Sequence, residues 1–387
     1  MSPTHTIFII NNPMKTKQLL LAILLILFPG YIAFGQQSHP EPKTLEIGSV
    51  APDFRLKGVD DKMHSLSDFA SSKVLVVVFN CNHCPTAQAY QERLNNIYSN
   101  YTPKGMSLVV ISSNSSKSLN LWEQGWSDLG DTFDEMKIRA KDKAFKFQYL
   151  YDGDDQKTAI AYGPMATPHA FVFDKNRKLR YVGCIDESME NGKGETLQNA
   201  IDAVLEGRNI EKPVTKVFGC STKWAWKTEG TIKLYKEWSA LPVTIDNIDA
   251  AGIKEIIKNK SDKLRLVNVW ASWCGPCVQE FPDFVIIDRI YRSRQFEFVS
   301  ICADKLSSKD NVLKFLQNKE ASNKNYIFSS DNNSELVESI DPQWSGALPY
   351  TLLVEQGGNI IYRSQGPINM IEMRKLIANN RYIDGVK

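Results

Sequence analysis

The stretch "VLVVVF" (Val74–Phe79) is uninterrupted apolar, the pattern of a strand buried on both faces. "TAQAYQERLNNIYSNY" follows with helical periodicity, Ala89, Leu94 and Ile97 among its apolar positions, and "MSLVVIS" is the next strand. The polar stretch 114–148 holds one helix near Asp134–Phe145, "HAFVFD" and "LRYVGCID" are strands joined by "KNRK", and "GETLQNAIDAVLEG" is a helix stopped at Gly207. The second half repeats this order. "AAGIKEIIKN" predicts a helix, "LRLVNVW" a buried strand, "CVQEFPDFVIIDRIYRS" a helix, "FEFVSICA" a strand and "KDNVLKFLQNK" a helix. "YTLLVEQGGNIIYRSQG" predicts a hairpin turning at Gly357-Gly358, and "MIEMRKLIAN" the last helix. A βαβ unit followed by ββα thus occurs twice, each time with Cys-x-x-Cys after the first strand.

This pattern predicts an α/β chain of two tandem domains, each a central mixed sheet flanked by helices. Residues 45–208 form the first domain and 242–387 the second. Residues 209–241, which lack clear periodicity and carry Cys220, Trp224, Trp226 and Trp238, are expected to link them. Before Leu45 the pattern is that of an export signal over residues 1–35: Lys15 and Lys17, an apolar run from Leu19 to Phe28, and Ala33-Phe34-Gly35 as a small-x-small cleavage site. Met14 is then the expected start and 36–44 a linker. An uncleaved anchor is the other reading, with an apolar stretch at the short end of the ~20 residues a span needs. Either reading puts the body outside the cytoplasm, in a periplasm-like space where disulfides persist. The 387 residues suffice for two cores without disulfide staples, and a net charge of +2 with no basic or acidic block offers nothing for nucleic acid.

Four of the seven cysteines fall in the two pairs. Cys274 meets the unpaired N–H groups and positive end of the helix it precedes, which favours its thiolate, the nucleophilic form. Cys277, three positions on, can close a small disulfide ring. Pro276 fits the first helical turn. A zinc site would need two more ligands, and this half has no histidine and only Cys302 besides the pair. Cys302 is expected to be buried and inert, and Glu280 to be a helix-face carboxylate rather than a proton shuttle.

"WASWCGPC", "EFP" with Pro282, and "GALPYTLLVEQGGNIIYRSQG" resemble exported thioredoxin-like thiol–disulfide oxidoreductases of the cytochrome-maturation type, over about Ile245–Tyr382. The resemblance implies a thioredoxin fold and a cis-proline at Pro349. With Leu348 and Trp273, it would contact substrate beside the disulfide. Asn268 stands where cytoplasmic thioredoxins carry a buried aspartate, so proton transfer must be managed differently. "APDF", "FNCNHCPTAQAYQERL", "QYLYDGDDQKTAIAYGPMATPHAFVFD", "YVGCIDES" and "VFGCSTKW" resemble peroxiredoxin-like redoxins over about Ile47–Trp224. Pro168, after Thr167, would be the counterpart of the cis-proline. Two departures bear on peroxidase chemistry: Cys81 occupies the place of the usual Thr or Ser, and Cys184 that of an arginine.

Within Cys81-Asn82-His83-Cys84 a partly charged His83 would favour thiolate over disulfide and make the pair a better oxidant than Gly275-Pro276 allows; the other reading is an exposed loop residue. Pro85 predicts that the helix starts just after Cys84, which makes Cys84 rather than Cys81 the nucleophile. Counting from Phe79 and Trp270 as strand ends, Cys84 falls one step from the Cys274 position. Cys220 either resolves an oxidised first site from a mobile segment or packs against Trp224 and Trp226, the latter being expected. His169 is expected at the surface, and Cys184 in a structural position. The expected function is an exported thiol–disulfide oxidoreductase without bound cofactor, acting on disulfide-bearing exported proteins and re-reduced by a membrane thiol donor. The alternatives are a thiol peroxidase in the first domain fed by the second, or a first domain that binds metal or a client.

Overall fold

Val74–Asn80 (β3) and Leu264–Trp270 (β11) are enclosed along their whole length. Both are uniformly apolar but for Asn80, Arg265 and Asn268, so each can only lie inside a sheet covered on both faces. The computed structural model describes His39 and residues 41–153, 155–188 and 192–384; the signal segment 1–35 lies outside the described residues. Around β3 the first half adds Arg55–Gly58 (β1), Met63–Ser65 (β2), Met106–Ser112 (β4), Gln148–Tyr151 (β5), His169–Phe173 (β7) and Leu179–Gly183 (β8). Their order across the sheet is β2-β1-β5-β4-β3-β7-β8. Ala166–Thr167 (β6) stands apart and pairs with Cys220–Ser221 (β9). The second half adds Asp246–Ile248 (β10), Phe296–Cys302 (β12), Lys324–Phe328 (β13), Tyr350–Val354 (β14) and Ile360–Gln365 (β15). Its order is β10-β13-β12-β11-β14-β15.

The five central strands match in order and direction. β5-β4-β3 and β13-β12-β11 are parallel, and β7-β8 and β14-β15 continue antiparallel. The halves differ at one edge, where the first carries the antiparallel hairpin β1-β2 and the second the parallel strand β10. Each half is therefore a central mixed sheet flanked by helices, as the periodicity predicts. The short strands β5, β10 and β13 and the helices Lys157–Tyr162 and Asn333–Ile340 carry too few apolar positions to show a period. The expected single helix after Cys84 is two, Pro85–Ala89 and Gln91–Tyr101, broken at Tyr90.

The stretch that reads as an irregular linker is ordered. It contains β9 and a helix over Thr228–Ser239, whose only fully buried side chain is Thr231, with Leu234, Tyr235 and Trp238 half-buried on the same face. Before it, Lys223 N–H donates to Asn114 Oδ1 at 2.9 Å and Trp224 Nε1 to Glu41 at 2.7 Å. Within 36–44, Glu41 and Thr44 are likewise pinned, Thr44 Oγ1 donating to the Gly163 carbonyl at 2.6 Å.

Both halves belong to one body, Glu41–Lys387. The contact between them runs along the turn Leu121–Gln124 and the residues after it. Leu121 packs among Ile287, Ile290 and Tyr291, and the Arg294 guanidinium lies over the Trp126 ring at 3.9 Å. Arg374, buried on the helix Met370–Ala378, donates to Gln124 Oε1 and to the Ser127 carbonyl, both at 3.2 Å. Removing a donor from an enclosed carbonyl costs about 1–3 kcal/mol. Arg374→Ala should therefore lose about that much stability in urea unfolding of the whole chain; a change below ~0.5 kcal/mol, the size of an ordinary surface substitution, would contradict this reading of the interface.

Candidate active site

Strand and helix set both pairs by the same rule. β3 ends at Asn80 and β11 at Trp270, and the helices that follow begin at Pro85 and Gly275 with Cys84 and Cys274 as their N-cap residues. Cys84 therefore corresponds directly to Cys274; the one-step offset expected from the sequence came from ending β3 a residue early. Cys81 corresponds to Ala271, and the position of Cys277 is taken by Ala87.

In the second half Cys274 and Cys277 are joined as a disulfide, Cα to Cα 5.3 Å, and Cys277 N–H donates to Cys274 Sγ at 3.4 Å. Pro276 occupies the first turn, and Pro282 lies inside the same helix. Trp273 is 71% exposed beside them. The Leu348–Pro349 peptide is cis, and Leu348 packs against the cluster that contains both cysteines. The approach loop is held by Asp304, whose carboxylate accepts from Ser272 N–H at 2.8 Å. Cys302 is enclosed, its thiol pushed up by burial and by the Asp304 charge, which agrees with an inert role. Behind the pair, Asn268 donates to Thr351 Oγ1 at 3.1 Å across β11 and β14.

Glu280 corrects an expectation. It is buried rather than on a solvated helix face, one turn beyond Cys277. Burial pushes its carboxyl up to about 7, against the pull of hydrogen bonds from Ile368 N–H and the Asn268 amide.

The first pair is enclosed. Cys81 and Cys84 are free thiols with no exposed surface. Cys81 Sγ meets Thr167 Oγ1 at 3.0 Å, and Cys84 Sγ lies 3.4 Å from the Thr167 carbonyl oxygen. The Thr167–Pro168 peptide is cis, so both halves place a cis X-Pro bond beside their cysteines. His83 is not an exposed loop residue: it is buried, with Nδ1 2.7 Å from Asp131 Oδ2. Burial alone would push His83 down, but the charge and hydrogen bond of Asp131 hold it above the usual histidine value. Asp131 also accepts from the N–H groups of Asn82 at 2.8 Å and His83 at 3.1 Å, and from Asn114 Nδ2 at 2.9 Å. These bonds outweigh its own burial and keep its carboxyl low. Asp131 lies 48 positions from His83, and its only sequence mark is its place before the Thr132–Glu135 capping box.

Cys220 also departs from expectation. It packs against Cys81 and Cys84 rather than the tryptophans, and its N–H donates to Cys84 Sγ at 3.3 Å. Hydrogen bonds from the Cys220 and Cys81 thiols, and from backbone N–H groups, hold Cys84 well below the ordinary thiol value, and those two thiols are correspondingly raised. His169 is buried in β7 against the Phe171 ring, and burial pushes it down to about 3, so it is no surface residue. Cys184 is buried beside Thr215 Oγ1 at 3.3 Å, as a structural cysteine would be. Cys81, His83 and Asp131 offer ligand atoms within 4.8 Å of one another, and His83 Nε2, buried without a hydrogen-bond partner, takes no part in the bond to Asp131.

The raised Glu280 carboxyl has a consequence for stability. The folded protein holds this proton more tightly than the unfolded chain, so the stability it contributes is full below the ordinary 4.5 and is lost as pH rises through about 7. Glu280→Gln should therefore gain in melting temperature relative to the parent as pH rises from 5 to 8; a pH-independent difference would refute the assignment.

Family models match the chain twice: AhpC/TSA family over residues 47–182 and Redoxin over 254–376. The thiol-disulfide oxidoreductase ResA of Bacillus cereus is 25% identical over 198 residues, covering 50% of this chain and 96% of that protein. The thiol:disulfide interchange protein CycY of Rhizobium leguminosarum bv. viciae is 33% identical over 113 residues, 29% of this chain and 55% of that one. Among solved structures, an uncharacterized conserved protein from Geobacillus kaustophilus is 36% identical, covering 48% of this chain and 95% of that chain with a TM-score of 0.42. The chain therefore carries two thioredoxin-fold domains in tandem, the first matching the AhpC/TSA family and the second the Redoxin family, in an enzyme of the thiol–disulfide oxidoreductase class.

Proposed function

We propose that the protein is an exported oxidoreductase that reduces protein disulfides at Cys274 and Cys277 and carries a second, differently tuned dithiol at Cys81 and Cys84. The observation that carries this is the Cys274–Cys277 disulfide at a helix N-terminus beside an exposed Trp273 and the Leu348–Pro349 loop. A protein substrate needs an open surface around the attacking sulfur, and the second site has one. In the reduced enzyme the Cys274 thiolate, favoured by the helix N-terminus, attacks a substrate disulfide. Cys277 then attacks Cys274, releasing the reduced substrate and closing the bond. Its proton needs an acceptor, and Glu280, poised near neutrality one turn away, suits that role in place of the aspartate that Asn268 replaces. Reduction back to the dithiol calls for an electron donor, for which a membrane thiol carrier is proposed. The lysines and apolar run before Leu45 support export. Among the described residues no helix is long and apolar enough to cross a membrane.

At the first site Cys84 is proposed as the nucleophile, because it holds the N-cap position that Cys274 holds in the second. The order of the two cysteines is then reversed between domains. A peroxidase reading of this domain is favoured by one feature, a low-lying Cys84 thiol with another thiol, Cys220, beside it. Its signature would be hydrogen peroxide consumption lost in Cys84→Ser.

In the full-length protein, Cys274→Ser should abolish catalysis of insulin reduction by dithiothreitol while Cys84→Ser leaves it in place. Activity surviving Cys274→Ser would sink the assignment. For the first site, alkylation by iodoacetamide as a function of pH should give Cys84, in Cys81→Ser, a half-point below the ~8.5 of an ordinary thiol, and Cys81, in Cys84→Ser, one above it. The reverse result restores the usual order.

A further inference from the structure

We propose that Cys220 is a third redox thiol of the first site, the point at which a small disulfide, rather than a folded protein, exchanges electrons with the enclosed Cys84. The proposal rests on the dithiol reading of that site and extends it.

Access is the first argument. Cys81 and Cys84 have no exposed surface, whereas Cys220 is partly exposed and packs directly on them. A disulfide-bearing molecule approaching from solvent meets the Cys220 sulfur before either of the others. The second site makes the contrast: there Trp273 is 71% exposed and nothing lies within 4 Å of the Cβ position of Gly275.

Helix position is the second. Cys277 sits inside its helix, in line to attack Cys274; the matching residue of the first half is Ala87. The partner of Cys84 must therefore come from outside the helix. Cys81 is on the strand side, bonded to Thr167 Oγ1. Cys220 is on the outer side, its N–H on the Cys84 sulfur.

The third is the way Cys220 is held. β9 pairs with β6 so that Cys220 faces Thr167, the residue before the cis-proline. Gly219 has a φ of +139°, and a Cβ there would stand 2.1 Å from the Thr167 carbonyl oxygen, so glycine is required for this close approach. Downstream, Ser115 N–H and Gln156 Nε2 both donate to the Lys223 carbonyl at 2.9 Å. The second half has no counterpart of β6 and β9 among the described residues. A segment outside the repeated fold is thus fastened on both sides of Cys220, so this thiol does not ride on a mobile tether.

The chemistry balances. The Cys220 sulfur attacks one sulfur of R–S–S–R, its proton passing through solvent to the departing group; that S–S bond breaks, a mixed disulfide forms and RSH leaves. The Cys84 thiolate then attacks the Cys220 sulfur, forming Cys84–Cys220 and releasing RS⁻. Two electrons pass from the protein to the small disulfide, which becomes one RSH and one RS⁻. Cys81 can then displace Cys220 from Cys84, its proton going to Cys220, which leaves the enclosed Cys81–Cys84 disulfide and frees the outer thiol.

The test uses the full chain with Cys274→Ser and Cys277→Ser to silence the second site, and hydroxyethyl disulfide as the probe. With Cys81→Ser added, the relay should stop at Cys84–Cys220, read by mass spectrometry as tryptic peptide 217–223 linked to 74–93. With Cys220→Ser instead, oxidation of the first site should slow at least tenfold, and insulin should oxidise the site poorly in every variant. Two results overturn the proposal while leaving the dithiol reading intact: Cys81–Cys84 forming at the parent rate in Cys220→Ser, or no 217–223 cross-link in Cys81→Ser. If the parent forms no disulfide in the first domain at all, both fail. The cross-link needs no substitution at Cys220, so it stands even if Cys220→Ser folds poorly.

Discussion

A cysteine that caps a helix leaving a fully enclosed strand is the constraint on which both halves depend. β3 and β11 cannot slip by one residue without turning enclosed side chains to the opposite face. Their last residues therefore fix where the next helix begins, and the helix N-terminus offers its unpaired N–H groups to whichever sulfur stands there. Cys84 and Cys274 stand there, and the neighbouring features take their positions from them: the cis X-Pro loop alongside and the carboxylates that tie down the approach loop, Asp131 in one half and Asp304 in the other.

From that common frame the sites diverge through the placement of the second sulfur. Where it lies inside the helix, as Cys277 does, the pair closes on itself and the surface around it stays open. Where it lies before the helix, as Cys81 does, it is drawn under the Thr167 side chain and the pair is sealed. Sealing brings a buried charge problem that the His83–Asp131 pair meets by satisfying Asp131 with four hydrogen bonds, while His83 Nε2 is left without a partner. Glu280 meets the same problem in the second half by keeping its proton up to about pH 7.

The two domains are joined through the segment that supports the first site. Residues 121–131 receive Leu121, Trp126 and Ser127 contacts from the second domain. The same segment faces the Cys81–Cys84 loop, Ser127 Oγ donating to the Asn82 carbonyl at 3.2 Å and Gln88 Nε2 to that of Trp126 at 3.4 Å. The helix Gly275–Tyr291 makes this joint at its C-terminal end, leaving the N-terminal end that bears Cys274 clear of it.

The duplicated order of elements, the two buried strands, the start of the helix after Cys84 and the proline loops were all legible in the sequence, because each is carried by a local signal: an apolar run, a proline at a first turn, a motif of a few residues. The helix Thr228–Ser239 was not, since its one fully buried position is a threonine, Thr231. The side chains that distinguish the first site could not be read locally either. Cys220 lies 136 positions from Cys84 and Asp131 48 from His83; the Asp131 partner that decides the charge of His83, and the burial that decides those of His169 and Glu280, depend on what packs over them from elsewhere in the chain. Local signals along the chain mark which residues can do thiol chemistry and on what fold; which of those sulfurs meet, and which of them meets the solvent, follows from contacts between segments far apart in the chain.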